Sequence, residues 1–149
     1  MRAKSITLVM ILSVSIAVAL GAQGSTSAEW EITSGDGHLK NEVTIPDPKL
    51  QEALRKALGL AAEEPITEDA LAGLTYLNAS WKSIHDLTGL EHCTNLTSLE
   101  LYYNSLISDV TPLQGLTKLE HLDLGGNNIM DIGPLEGLVN LGTLNLDDN

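Results

Sequence analysis

Leu74, Leu96, Leu119 and Leu141 open four similar segments, 22, 23 and 22 residues apart. Within them leucine keeps returning in register: Leu96, Leu99 and Leu101; Leu119, Leu122 and Leu124; Leu141, Leu144 and Leu146. An asparagine follows each set, at Asn104, Asn127 and Asn149. A period this short cannot be a domain. Each segment is one turn of a stack and buries its leucines only against its neighbours. Leu-x-Leu is a short strand whose two leucines point inward while the residue between them points out. The repeat therefore predicts an α/β solenoid with short parallel β-strands on a concave face. Residues 74–149 hold about three and a half such repeats.

Segments two to four match the leucine-rich-repeat template L-x-x-L-x-L-x-x-N at every fixed position. Segment one is degenerate, with Ala79 for a leucine and Lys82 for the asparagine. Segment two carries one extra residue between Asn104 and Asp109, which predicts a small loop bulge. Asparagine can donate and accept, so Asn104, Asn127 and Asn149 are expected to form a structural ladder at the turn after each strand. Asn128, beside Asn127, is expected to be exposed loop. On the return, "DLTGL", "DVTPL" and "DIGPL" set Asp86, Asp109 and Asp131 before tight turns. This predicts 3-10 turns on the convex side, with Pro112 and Pro134 inside them. Cys93 aligns with the inward Leu116 and Leu138 and reads as a small core hydrophobe.

The chain begins with the basic "MRAK", an uncharged run from Ser5 to Leu20, and the small residues "GAQGSTSA". That is the layout of a secretory signal peptide over residues 1–28, with cleavage between residues 19 and 28. A secreted, extracellular or cell-surface location follows. Residues 29–42 read as a flexible linker. Residues 43–73 read as a helical N-terminal cap. In "IPDPKLQEALRKALGL", Leu50, Ala53, Leu54, Ala57 and Leu58 share a helical stripe, Asp47 can cap the start and Gly59 can end it. In "ITEDALAGL", Thr67 caps a second short helix, and Ile66 can staple onto Leu71.

The "IPDPKLQEALRKAL" helix, the "ITEDALAGLT" lead-in and repeats of the form "NxxxDIGPLEGLVNL" together resemble internalin-like bacterial leucine-rich-repeat proteins over about Val43 to Asn149. The resemblance implies a secreted or surface protein whose concave sheet engages other molecules, often proteins. Against that family the chain reads as C-terminally truncated, the last repeat stopping at Asn149. Leu141, Leu144 and Leu146 are then expected to lie uncovered, and end-to-end self-association through that open repeat is expected.

Twenty acidic against 8 basic residues give a net charge of −12, which argues against nucleic acid or an anionic membrane surface as partner. Removing Arg2 and Lys4 with the signal peptide would make it −14. One cysteine allows no internal disulfide. No nucleophile elbow, phosphate loop, zinc spacing or calcium loop occurs, so the sequence offers no catalytic residue, metal site or cofactor and reads as a binding module rather than an enzyme. Of five aromatic residues, Tyr76, Trp81, Tyr102 and Tyr103 fall at outward positions of the repeats. With Glu100, His121, Asp123 and Asn145 they form the candidate ligand-binding set on the concave face, since binding surfaces favour Tyr and Trp. Gly125 and Gly126 occupy outward columns of the third repeat. Four strands ~4.8 Å apart and about five residues long make a face of roughly 300 Å², below the roughly 800 Å² each partner gives a stable complex. Protein–protein interaction is the first reading. A carbohydrate-binding module using the concave aromatics, or a non-functional fragment of a longer surface repeat protein, are the alternatives.

Overall fold

The computed structural model describes residues 41–149. The proposed signal peptide and all of the proposed linker except Asn41 and Glu42 lie outside the described residues. Helix α1 (Pro48–Leu58) begins at Asp47, whose Oδ1 accepts from the N–H groups of Lys49 and Leu50 at 2.7 and 3.1 Å, and Pro48 fills the first position. Gly59, left-handed with φ 69°, ends it. Leu50, Ala53 and Leu54 are buried. Ala57, which the helical stripe would bury, is exposed and lines a groove facing the first repeat, while Leu58 is half-buried against the core. Helix α2 (Glu68–Ala72) is capped by Thr67 Oγ1, which accepts from Ala70 N at 3.3 Å, and Ile66 and Leu71 are both buried.

Asn41 and Glu42, read from sequence as the end of a linker, are tied to the cap. Glu42 bridges Thr67 antiparallel, Glu68 N donates to Asn41 O at 2.9 Å, and Val43 N donates to Ile66 O at 2.8 Å. Their own residue types signal nothing; the extended chain before α2 supplies the partner groups.

Strands β1 (Tyr76–Asn78), β2 (Ser98–Glu100), β3 (His121–Asp123) and β4 (Thr143–Asn145) form one parallel sheet in chain order. Leu77, Leu99, Leu122 and Leu144 stand in one row of that register. The first three are buried, as are Leu101 and Leu124. Each buried leucine contributes about 1.5–3 kcal/mol. Leu144 in β4 is 42% exposed, and Leu141 and Leu146 are half-buried. The returning halves hold 3-10 turns at Leu90–His92, Thr111–Leu113 and Gly133–Leu135. Asp86, Asp109 and Asp131 each accept from the backbone N–H two residues on, all at 2.8 Å. The Thr111 hydroxyl first, and then the Thr111 N–H, hold the Asp109 carboxyl below its ordinary range. The extra residue of the second repeat falls in a turn at Ser105–Leu106, which pushes Leu106 out to 59% exposure.

Cys93 is fully buried, and burial, helped by the charge of Glu91, pushes its thiol up to about 12. A second set of inter-turn bonds runs where each repeat begins. Asn95 donates to Ala72 O and Asn140 to Thr117 O, each at 2.7 Å, while Lys118 donates to Asn95 Oδ1. No helix among the described residues is long and apolar enough to cross a membrane.

The cap and the first repeat are joined through one buried carboxylate. Asp47 is 1% exposed. While its Oδ1 caps α1, its Oδ2 accepts from the N–H groups of His85 and Asp86 at 2.8 and 3.3 Å, and lies 2.7 Å from His85 Nδ1. Burial alone would push this carboxyl up, but the N–H groups of His85, Leu50, Lys49 and Asp86 outweigh it and hold it below its ordinary range. The sequence pointed only to the helix cap, because the second pair of donors lies 38 and 39 residues away.

Candidate functional site

The shape of the turn after each strand decides which side chains the protein presents. Asn104 is fully buried: its Oδ1 accepts from Lys82 N and Ile84 N, and its Nδ2 donates to Ala79 O and Leu101 O, at 2.9–3.0 Å. Asn127 accepts from Asn104 N and donates to Leu101 O and Leu124 O. Asn149 accepts from Ile129 N and donates to Leu124 O and Leu146 O. Each asparagine thus serves its own turn and the one before it. For its side chain to face inward, the residue ahead of it must reverse the chain. Trp81, Tyr103, Gly126 and Asp148 occupy that equivalent place, with φ of 59°, 55°, 70° and 57°. The left-handed conformation is strained for residues other than glycine, and here it is imposed by the ladder behind it.

Equivalent places in adjacent turns lie over one another. Trp81 and Tyr103 therefore stack, with ring centres 4.1 Å apart and planes 11° from parallel. Tyr102 meets both edge-on, at 5.7 Å from Trp81 and 4.8 Å from Tyr103. Trp81 is 66% and Tyr103 42% exposed. These three aromatics form one cluster in the turns beyond the strands; Tyr76, on β1, is not in ring contact with them. Gly125 and Gly126, placed outward from sequence, are buried instead. The Tyr102 and Tyr103 rings lie over them: a Cβ at Gly125 would sit 3.1 Å from the Tyr102 ring, and one at Gly126 would sit 2.7 Å from the Tyr103 ring. The glycine pair is the floor on which the tyrosines rest. Gly126→Ala combines that clash with an unfavourable φ, so it should destabilise by roughly 1–3 kcal/mol and displace Tyr103. Thermal unfolding and the near-ultraviolet circular dichroism of the aromatic cluster measure both effects.

On the strands the outward residues form two rows: Tyr76, Ser98, His121 and Thr143, then Asn78, Glu100, Asp123 and Asn145. His121 is half-buried between Ser98 and Thr143. In the second row, short side chains end the strands. Asn78, Asp123 and Asn145 accept from the N–H of Ser80, Gly125 and Asp147, at 3.1, 3.0 and 2.9 Å. Asn145 also donates to Asp123 at 3.0 Å. Glu100 is one methylene longer than an aspartate and reaches back instead, accepting from Tyr76 Oη at 3.1 Å and from Asn78 Nδ2. Four of the eight candidate residues, Tyr76, Glu100, Asp123 and Asn145, are thus hydrogen-bonded within the sheet. Tyr102 stands at the acidic end of the row: burial first, then Tyr103 and the carboxylates of Asp148, Asp123 and Asp147, push its phenol up. Among the described residues no group of His, Cys, Asp and Glu is arranged to hold a metal ion. The signal for the aromatic stack was in the repeat alignment: Trp81 and Tyr103 both precede the ladder position, although Lys82 hides it in the first repeat.

The model for leucine-rich repeats (two copies) matches residues 117–149. Internalin J of Listeria monocytogenes is 37% identical over 62 residues, which are 42% of this chain and 7% of that protein. The solved structure of an internalin (inlF) from Listeria monocytogenes superposes with a TM-score of 0.67 and 36% identity, over 70% of this chain and 31% of that one. Internalin C2 of the same organism gives a TM-score of 0.66 and 35% identity, over 69% of this chain and 46% of that one. The chain spans less than half the length of each of these relatives.

Proposed function

We propose that this internalin-like leucine-rich-repeat protein is an exported binding module that holds a protein partner. The partner lies across the concave sheet and rests on the cluster of Trp81, Tyr102 and Tyr103. One observation carries the reading: Trp81 is two-thirds exposed, yet it is held rigid by a parallel stack on Tyr103. A large aromatic surface already fixed in place loses little conformational freedom on binding, which is the property of interface anchors. Tyr76, Glu100, Asp123 and Asn145 are locked by their mutual hydrogen bonds and form the polar surround, and His121 lies between the rows.

The test is a panel of purified extracellular proteins screened by biolayer interferometry against the signal-free chain. For a binder, Trp81→Ala and Tyr102→Ala should each weaken affinity about thirtyfold, as an anchor worth about 2 kcal/mol implies. Thr97→Ala should leave it unchanged. Binders indifferent to both aromatic changes would place the contact elsewhere and end this reading.

A further inference from the structure

Helix α1 and strand β1 enclose a groove of about 490 Å³ at the start of the concave face. Glu52, Ala53, Lys56 and Ala57 form one wall, and Tyr76, Asn78, Ser80 and Lys82 form the other. This volume falls in the range of about 300–1,000 Å³ typical of small-ligand clefts. Its charge is unlike that of the rest of the molecule. A chain of net charge −12 here sets one lysine on each wall. Glu52, the single acid in the lining, is 3.9 Å from Lys49 on its own helix. Arg55, beside Lys56, is committed to the carbonyls of Ala61 and Glu64. Among the described residues neither Lys56 nor Lys82 is ion-paired.

We infer that this groove is a binding site for an acidic saccharide, with the anionic group between Lys56 and Lys82. Two ammonium groups on opposite walls suit a single anion better than either would alone. Between them, Ser80 offers a hydroxyl of the kind that matches sugar hydroxyls, and Ala53 and Ala57 supply the apolar part of the wall. Trp81 stands between Ser80 and Lys82 in the chain, and its exposed ring offers a flat apolar face to the C–H side of a pyranose. An acidic peptide would use the lysines but gain little from a stacking face. The inference shares Trp81 with the protein-partner reading, but its charged groups, Lys56 and Lys82, belong to the groove alone, so the lysine variants separate the two.

Isothermal titration of the signal-free chain with hexagalacturonate, with its methyl ester, with a heparin-derived hexasaccharide and with hexaglutamate tests it. An anionic hexasaccharide should bind at least about tenfold tighter than the neutral ester, with affinity falling as salt rises. The two acidic sugars distinguish carboxylate from sulfate as the group held. Lys56→Gln and Lys82→Gln should each weaken that binding about tenfold, at unchanged melting temperature. Lys118→Gln, the same change of charge outside the groove, should leave it unchanged, and the binding of a protein partner should be unchanged in either groove-lysine variant. Failure of both acidic sugars to bind, equal binding of the ester, or indifference to both lysine changes would each overturn the inference. Equal binding of hexaglutamate would assign the groove to acidic peptides instead and overturn it as well.

Discussion

Asn104→Ala should lower stability by roughly 3–4 kcal/mol, near the upper end for a single side chain. The asparagine is fully buried and satisfies four backbone groups: two N–H donors of the first repeat, and two carbonyls, Ala79 O and Leu101 O. Alanine leaves these buried groups without their side-chain partner, and each such group costs about 1–3 kcal/mol. Asn127 still donates to Leu101 O, so not every loss is complete. The expected fall in Tm is roughly 15 °C for a domain of this size. Asn128→Ala is the matched control, since the Asn128 side chain is exposed and makes no hydrogen bond among the described residues; its shift should be near zero. Equal shifts for the two, by calorimetry, would remove the ladder as the element that holds the turns together.

Asp47→Asn should cost about 3 kcal/mol. An amide keeps the shape but turns one oxygen into a donor, and it would then face the N–H groups of either α1 or the first repeat. The effect depends on pH in a definite direction. The Asp47 carboxyl is held below its ordinary range when folded. Its contribution is therefore fully present above the unfolded carboxylate value of about 3.9 and is lost as pH falls through the lower folded value. The stability gap between the two proteins should be wide at neutral pH and narrow below about pH 4. Denaturant titrations at several pH values measure it. A gap that stays constant down to the acid limit would mean that the charge of Asp47 does not join cap to repeat. His85→Ala removes only the side-chain contact and leaves the backbone donors, so its effect should be the smaller of the two.

The inward places of Leu99, Leu101, Leu122 and Leu124, the 3-10 turns, and the caps at Asp47, Gly59 and Thr67 were all legible in the chain. These features depend on spacing and on hydrogen bonds between residues two to four apart, so each segment declares them by itself. The extra residue of the second repeat was legible too, because the leucine register around it is strict. Which surface the protein presents was decided only when the turns were stacked. Trp81 meets Tyr103, and Tyr103 meets Gly126, because equivalent places come together across a repeat of 22 or 23 residues in a backbone reversed by the ladder. A pattern of outward positions carries no φ, so Gly125 and Gly126 looked like bare surface when they are the floor beneath two rings. Glu100 differs from its row neighbours by one methylene or by its charge, and only the next strand shows that it reaches Tyr76 rather than its own turn. Asp47 looked like a helix cap because one of its oxygens is; the other serves backbone that is distant in sequence. The periodic part of the fold is a sum of local preferences repeated in register. The aromatic cluster and the joint between cap and repeats are made of single contacts between distant segments, and these exist only in the folded chain.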